Sequence, residues 1–468
     1  MISTILKTCV ILTTLHSTTS SKISESCQIY SDLTKQEFFA DKSNLLYDFL
    51  SHERHNEYIN APSGFGKTTA LHMLNCFLNV QLNDVLRAVP ADQSHAHEIF
   101  KDLKISQHTN IVSNYMAQIP VINLNLSFSF EPTDVITHEM VLSQLNSNLK
   151  KCFQEYDWVP LESLNKSDNA FVVTALEGKL KKTQVERSLS LLNTLLRTNF
   201  KRRPILLIDE YDSLYNYLIQ AGDQVQEGYN LINRMLENAI YQFANTSIDY
   251  TFMVGISSVP VFSAADLAIH VFHEEFTIAH RFVPYFGFTN DEMRTLFHKY
   301  NCSDEEKENI TRNYGNYAIR NGSLYITNSI AQYFKNRDPA DTSMKLYWKH
   351  TKAINLFFFF YDVPSFTKRI FDILAGEAPV KLQIDTSSVT FKALRYLASN
   401  ITNSTDESDD HILHPLLLEQ GYLTRTEDRD MYLLPNLEAY HSLNNNILNY
   451  YSKRMNDTQH LRQYIPKI

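Results

Sequence analysis

The sequence predicts an α/β fold: a parallel sheet flanked by helices, then a mainly helical segment, then a C-terminal region of winged-helix character. Three observations predict it. Short apolar runs of strand length alternate with helical periodicity from about residue 57 to 256. One run, Ile205-Leu206-Leu207-Ile208, is continuously apolar, as a central strand of a parallel sheet is when helices cover both its faces. From about residue 290 onward helical patterns take over.

In chain order, residues 28 to 58 read as a helical lead-in with Phe38, Phe39, Leu45, Leu46, Phe49 and Leu50 at helical spacing. A short strand, Glu57 to Asn60, runs into a glycine-containing loop and then a helix from about Thr68 to Leu78. Residues 82 to 118 are polar, helical with loops, and Pro120 opens a strand over Val121 to Leu126. Residues 134 to 200 carry helical periodicity, including Leu189, Leu192 and Leu196, and Lys201-Arg202-Arg203-Pro204 ends it before the apolar strand at 205. A helix over about Gly228 to Phe243 and a strand over Tyr250 to Ile256 follow. The aromatic run Phe357 to Tyr361 reads as buried core, and the acidic, Ser/Thr-rich stretch Asn400 to Asp410 as an exposed loop.

The chain has 468 residues, 44% hydrophobic and 20% charged, enough for two or three domains with a sizeable core. Its net charge of −9 gives no overall attraction to a polyanion, so nucleic acid is not the expected partner. No apolar run reaches the roughly 20 residues that span a bilayer.

The first twenty residues differ in kind. Lys7, the apolar run Cys9 to Leu15 and the small residues Thr18-Thr19-Ser20 follow the order of a secretory signal peptide. The expectation is a secreted protein, with a cytoplasmic one as the alternative. Beyond the leader, Cys27, Cys76, Cys152 and Cys302 are too scattered to show a disulfide framework. Nine Asn-x-Ser/Thr sequons, among them Asn165, Asn400 and Asn403, are no more than a chain this rich in those residues supplies by chance. The sequon at Asn125 falls in a strand expected to be buried.

Ala61-Pro62-Ser63-Gly64-Phe65-Gly66-Lys67-Thr68 fits the Walker A pattern except at its first position, where Ala61 stands for glycine. Gly64 and Gly66 let the backbone turn so that successive N–H groups face phosphates. Lys67 would reach the β- and γ-phosphates as a point charge, Thr68 would hold magnesium, and the helix N-terminus adds its partial positive charge. Ser63, Phe65 and Thr69 complete the expected nucleotide-binding set. Asp209 and Glu210 emerge at the C-terminal end of the apolar strand, where ligands of open α/β sheets bind. Asp209 is the expected magnesium partner, and Glu210 the carboxylate that orients the attacking water, with Lys67 as the other catalytic group. Ser257, at the next strand's end, is a candidate to sense the γ-phosphate, and Arg281 and Arg294 are arginines that could approach it. Alone, the glycine loop could be a turn before a helix and Asp209-Glu210 a helix cap, but the two motifs in this order point to a P-loop NTPase binding ATP or GTP with Mg2+. No clustered His/Cys pattern suggests another metal site. The echo of a nuclease motif in Asp168, Glu177 and Lys179 lies in a helical stretch without the strand it needs.

These residues resemble the AAA-ATPase-like domain family, whose bacterial members are often fused to a PD-(D/E)XK nuclease domain. The resemblance runs from about Phe38 to Tyr451. It rests on Phe39-Ala40-Asp41-Lys42-Ser43, Phe65-Gly66-Lys67-Thr68, Ile99 to Leu103, Pro120-Val121-Ile122, Leu207-Ile208-Asp209-Glu210-Tyr211-Asp212, Gly255-Ile256-Ser257, Phe286 to Thr289, Tyr314 to Tyr317, Gly421 to Thr424 and Leu434-Pro435-Asn436. Ala61-Pro62-Ser63 departs from the basic residues usual there, and no nuclease domain follows, so nuclease activity is not expected. The resemblance implies an ATPase core over 28–285, a helical lid over 286–345 and a winged-helix-like region over 346–455. It implies slow, partner-regulated hydrolysis by a chain that can form an oligomer, its protein partner unknown. Two alternatives stand beside it: a secreted nucleotide-binding scaffold or effector with little turnover, and a DNA-associated ATPase.

Overall fold

The computed structural model describes residues 24–454 apart from 53–55, 83–87, 132–133, 163, 241–249, 261–271, 276–281, 320–321, 339–342, 344, 349–356, 358–359, 377–378, 383, 385–388, 400–409 and 429. The leader over 1–20, Arg281, and nearly all of the acidic stretch from 400 lie outside the described residues.

Five strands form the central sheet: β1 (Asn56–Asn60), β2 (Val121–Asn125), β3 (Ile205–Asp209), β4 (Tyr250–Gly255) and β5 (Phe272–Glu275). Their order is β2-β3-β4-β1-β5, and every neighbouring pair is parallel. β3 is buried along its whole length, which is why its sequence needs apolar residues on both faces. The register sets Asn60 beside Gly255 and Asn125 beside Asp209, so the C-terminal ends of β1, β2, β3 and β4 share one edge.

Helices cover the sheet. α1 (Glu25–Thr34) and α2 (Asn44–Leu50) precede β1, and α3 (Lys67–Leu78) follows it. The two short helices α4 (His95–Phe100) and α5 (Thr109–Tyr115) lead into β2. Then come α6 (His138–Gln154), α7 (Lys166–Glu177) and α8 (Lys182–Phe200), and after β3 the long α9 (Leu218–Ile240), broken at Ala221-Gly222. Side chains set the helix starts: Ser24 accepts from Cys27 N, Thr137 from Met140 N and Asn165 from Asp168 N, each satisfying an N–H with no partner inside the helix. α8 buries Val185, Leu189, Leu192 and Leu196, each burial stabilising by about 1.5–3 kcal/mol relative to exposure. A disulfide joins Cys27 of α1 to Cys76 of α3, a pairing that the spacing of the cysteines does not reveal. Cys152 and Cys302 are buried free thiols.

Beyond the sheet, β6 (Phe288–Thr289), α10 (Asn290–Lys299), α11 (Asp304–Tyr314), β7 (Tyr317–Ile319), β8 (Gly322–Tyr325) and α12 (Thr327–Lys335) make the lid. It has its own core of Phe288, Met293, Leu296, Ile310 and Ile330, and its strands pair antiparallel in the order β6-β8-β7. Thr289 and Glu292 form a capping box at the start of α10. The last region runs α13 (Pro364–Ala375), β9 (Val380–Lys381), α14 (Phe391–Ser399), α15 (Asp410–Glu419), β10 (Thr424–Arg425), β11 (Met431–Leu433) and α16 (Leu437–Arg454). Helix, strand, two helices and a hairpin, with strands in the order β10-β11-β9, make a winged-helix arrangement. Its buried residues are continuous with the core under the central sheet. Phe357, Phe360 and Tyr361 are buried in that core, as expected of the aromatic run.

Four expectations change. The lid and C-terminal region hold short antiparallel strands as well as helices. β5 adds an edge strand beside β1. Phe38 and Phe39 lie between α1 and α2 rather than in a helix. Asn125 is exposed, because β2 ends there as the chain emerges from the sheet. Among the described residues, no helix is long and apolar enough to cross a membrane.

Candidate functional site

The loop after β1 leaves the sheet with Ala61 N donating to Gly255 O at 3.0 Å, so it rises beside the end of β4. Gly64 and Gly66 then take φ of +84° and +90°, a left-handed backbone that glycine adopts without steric cost. Helix α3 begins at Lys67 directly behind them, its N-terminus aimed at the loop.

Lys67 Nζ donates to Ala61 O at 2.5 Å and Pro62 O at 2.8 Å, folding the side chain under its own loop. The side chain as a whole is partly exposed, because it lines a cavity, while its amine sits beneath the backbone. Burial lowers its pKa to about 8, against the opposing pull of the Asp212, Asp209 and Glu210 carboxylates. Thr68 Oγ1 donates to Asp209 Oδ2 at 2.8 Å, bringing the two expected magnesium partners together across 141 residues of chain. Burial raises the Asp209 pKa, and the Thr68 bond offsets part of that. Glu210 N donates to Asp209 Oδ1 at 3.0 Å. Glu210 itself has φ +53°, which costs a non-glycine residue about 1–2 kcal/mol and turns its side chain out of the strand.

One cavity of about 480 Å³ collects these groups. Ser63, Gly64, Phe65, Gly66, Lys67, Thr68, Thr69, Asp209 and Glu210 all line it. Tyr30 and Leu33 of α1, Phe38, Phe39, Lys42, Tyr285, Phe288 and Ala331 also line it, most of them apolar. A glycine loop with a lysine, beside aromatic and aliphatic side chains in one cavity, suits a nucleotide. A hydroxyl and a carboxylate oxygen in contact form the hard oxygen donor set that magnesium prefers, so the residues present fit that ion.

Ser257 is placed elsewhere. It is fully buried, and its Oγ donates to Glu419 Oε2 at 2.8 Å rather than facing the cavity. The C-terminal region thus approaches the strand end and takes the hydroxyl expected to sense the γ-phosphate. Arg294 is exposed and paired with Asp291.

Several residues at the site were not singled out as such by sequence reasoning. Asp212 is buried and accepts from Ile256 N at 3.0 Å and Ser257 N at 2.9 Å, fixing the end of β4 against β3. Burial pushes its pKa up to about 6, despite those two N–H groups. Its signal was its place three residues after Asp209. Lys42 pairs with Glu292 of the lid at 2.6 Å and also lines the cavity. Trp348 and Glu419 carry no local signal at all.

A family model described as predicted AAA-ATPase matches residues 26–264, from α1 through the end of β4. No curated protein matches. Among solved structures, the Aeropyrum pernix ORC2 protein in ADPNP–ADP complexes shows a TM-score of 0.39 at 9% identity, over 91% of this chain and 98% of that one. Cdc6p from Pyrobaculum aerophilum shows a TM-score of 0.27 at 10% identity, over 94% of this chain and 97% of that one. The family match spans half of the chain and takes in the phosphate loop, the strand that ends in two carboxylates and the strand between them, so this chain belongs to the predicted AAA-ATPase family.

Proposed function

We propose that the chain binds ATP with magnesium and hydrolyses it slowly, as a switch whose turnover a protein partner or a second copy sets. The observation that carries the reading is the Thr68–Asp209 contact at 2.8 Å in a cavity that Lys67 and Glu210 also line. With nucleotide bound, Lys67 leaves the Ala61 and Pro62 carbonyls for the β- and γ-phosphates. Thr68 and Asp209 hold the magnesium, which neutralises phosphate charge when bound. Glu210 orients the attacking water and accepts its proton.

Two measurements test this. Lys67→Ala should abolish ATP binding in calorimetry while the fold persists; equal affinity would sink the assignment. Glu210→Gln keeps shape and hydrogen bonding but loses the charge, so it should bind ATP normally and release phosphate about a hundredfold to ten-thousandfold more slowly. A wild-type rate at background, unmoved by the variant or by candidate partners, would favour the scaffold reading.

We also infer that the chain is secreted. The leader-like first twenty residues and the Cys27–Cys76 disulfide support an oxidising destination. N-terminal sequencing of the mature protein tests it: an intact Met1 would return the chain to the cytoplasm.

A further inference from the structure

The outer side of the phosphate loop is held by the rest of the chain. Trp348 Nε1 donates to Ser63 O at 2.8 Å, Asn328 N to Gly64 O at 2.9 Å, and Gly287 N to Phe65 O at 3.0 Å. Three successive loop carbonyls thus accept three hydrogen bonds from three separate stretches. Gly287 opens the lid, Asn328 begins α12, and Trp348 leads into the winged-helix region. That region also touches the loop directly. Gly421, at φ +83°, lies so close that a Cβ there would sit 2.7 Å from Pro62 Cβ.

Peptide geometry gives these bonds a meaning. In a planar trans peptide the carbonyl of one residue points opposite to the N–H of the next. Holding the carbonyls of Ser63, Gly64 and Phe65 outward therefore aims the N–H groups of Gly64, Phe65 and Gly66 the other way. Those are the N–H groups that a phosphate needs. On the neighbouring strand ends, Glu419 accepts from Ser257 Oγ, from Ser258 N at 3.0 Å and from Asn60 Nδ2 at 3.2 Å. Glu419 closes α15, and Leu413 to Gln420 are all buried, so the helix faces the ATPase core instead of solvent.

We propose that the lid and winged-helix region read nucleotide occupancy through the loop carbonyls, with Trp348 as the positioning residue that holds the loop ready for phosphate. Phosphate on those N–H groups and the grip on the carbonyls of the same peptides favour one loop orientation, so each stabilises the conformation that the other needs. By linkage the coupling runs both ways: whatever loosens the grip weakens nucleotide binding, and nucleotide tightens the grip. The inference rests on nucleotide binding at this site as proposed above.

The test uses the full chain. The sequence has 2 tryptophans, so a Trp158→Phe background leaves Trp348 as the sole indole reporter. Titration with Mg-ATP should give a saturable change in Trp348 emission at the affinity found by calorimetry. Amide hydrogen exchange over residues 410–433 should slow when ATP is added. Trp348→Phe, which keeps the ring but loses the donor, should bind ATP about fivefold more weakly. Gly421→Ala, which pushes the region off Pro62, should weaken it in the same direction. Should calorimetry show ATP binding while emission, exchange and both variant affinities stay unchanged, the coupling is overturned and the nucleotide site stands. An absence of binding by the wild type overturns both.

Discussion

Lys67 gives the sharpest test of how the site is built, through pH. Its amine lies beneath the phosphate loop, and burial lowers its pKa from 10.5 to about 8. In the unfolded chain the lysine keeps its ordinary value, so between pH 8 and 10.5 the unfolded state binds more protons and stability rises with pH. The stabilising neutral form is fully present above the unfolded pKa and is lost as pH falls through 8. At about 1.4 kcal/mol per pH unit, the whole interval is worth about 3 kcal/mol. Lys67→Met keeps the length of the side chain and removes the titration. Urea unfolding of both proteins, without nucleotide, at several pH values between about 7.5 and 10 isolates the effect. Every other titrating group is shared, so the difference between the curves reports Lys67 alone. The wild type should gain on the variant by about 2–3 kcal/mol across that range, and the variant should be the more stable protein near neutrality. The ATP site would then carry a standing cost in folding stability that its ligand relieves. Parallel curves would refute the reasoning and put the amine in water.

Two further outcomes follow from the same geometry. Asp209→Asn and Thr68→Ala should each weaken Mg-ATP far more than ATP in excess chelator, measured by calorimetry. Equal loss in both conditions would reduce their contact to packing. The Cys27–Cys76 bond spans a sequence separation of 49, for which the loop-entropy account gives about 4 kcal/mol. Replacing both cysteines by serine should therefore lower the urea midpoint, and a reductant should lower the wild type while leaving the variant unmoved. A wild type insensitive to reductant after full denaturation and refolding would rule the crosslink out.

Phosphate chemistry made the heart of this site legible in the sequence. A loop that bends around phosphates needs Gly64 and Gly66, and a strand buried on both faces that ends in charge has few meanings beyond Asp209 and Glu210. β3 and β4 were legible within a residue or two because burial on both faces favours apolar residues there, whereas β1, which buries Glu57 and Asn60, was legible from its place directly before the glycine loop. β5 was not, since Phe272-His273-Glu274-Glu275 at the sheet edge carries no apolar run. The two-residue strands β6, β9 and β10 are too short to show a period of two. Glu419 and Trp348 were invisible for another reason: each meets its partner across 162 and 285 residues of chain, and no local pattern encodes such a meeting. A separation of 49 residues likewise hid the pairing of Cys27 with Cys76. Ser257 shows the converse, a residue of suitable type and place whose hydroxyl meets a distant carboxylate.

The disulfide also has a temporal side. Every hydrogen-bonded neighbour of β1 in the sheet, β4 and β5, lies far downstream of Cys76, as does β3 with Asp209 and Glu210. During vectorial synthesis α1, β1, the phosphate loop and α3 emerge before any of these strands exists. In an oxidising lumen the ring from 27 to 76 can close around that fragment at once. The part of the cavity wall made by Tyr30, Leu33, Phe38 and Phe39 would then travel joined to the phosphate cradle, waiting for the carboxylates and the lid residues that complete the site.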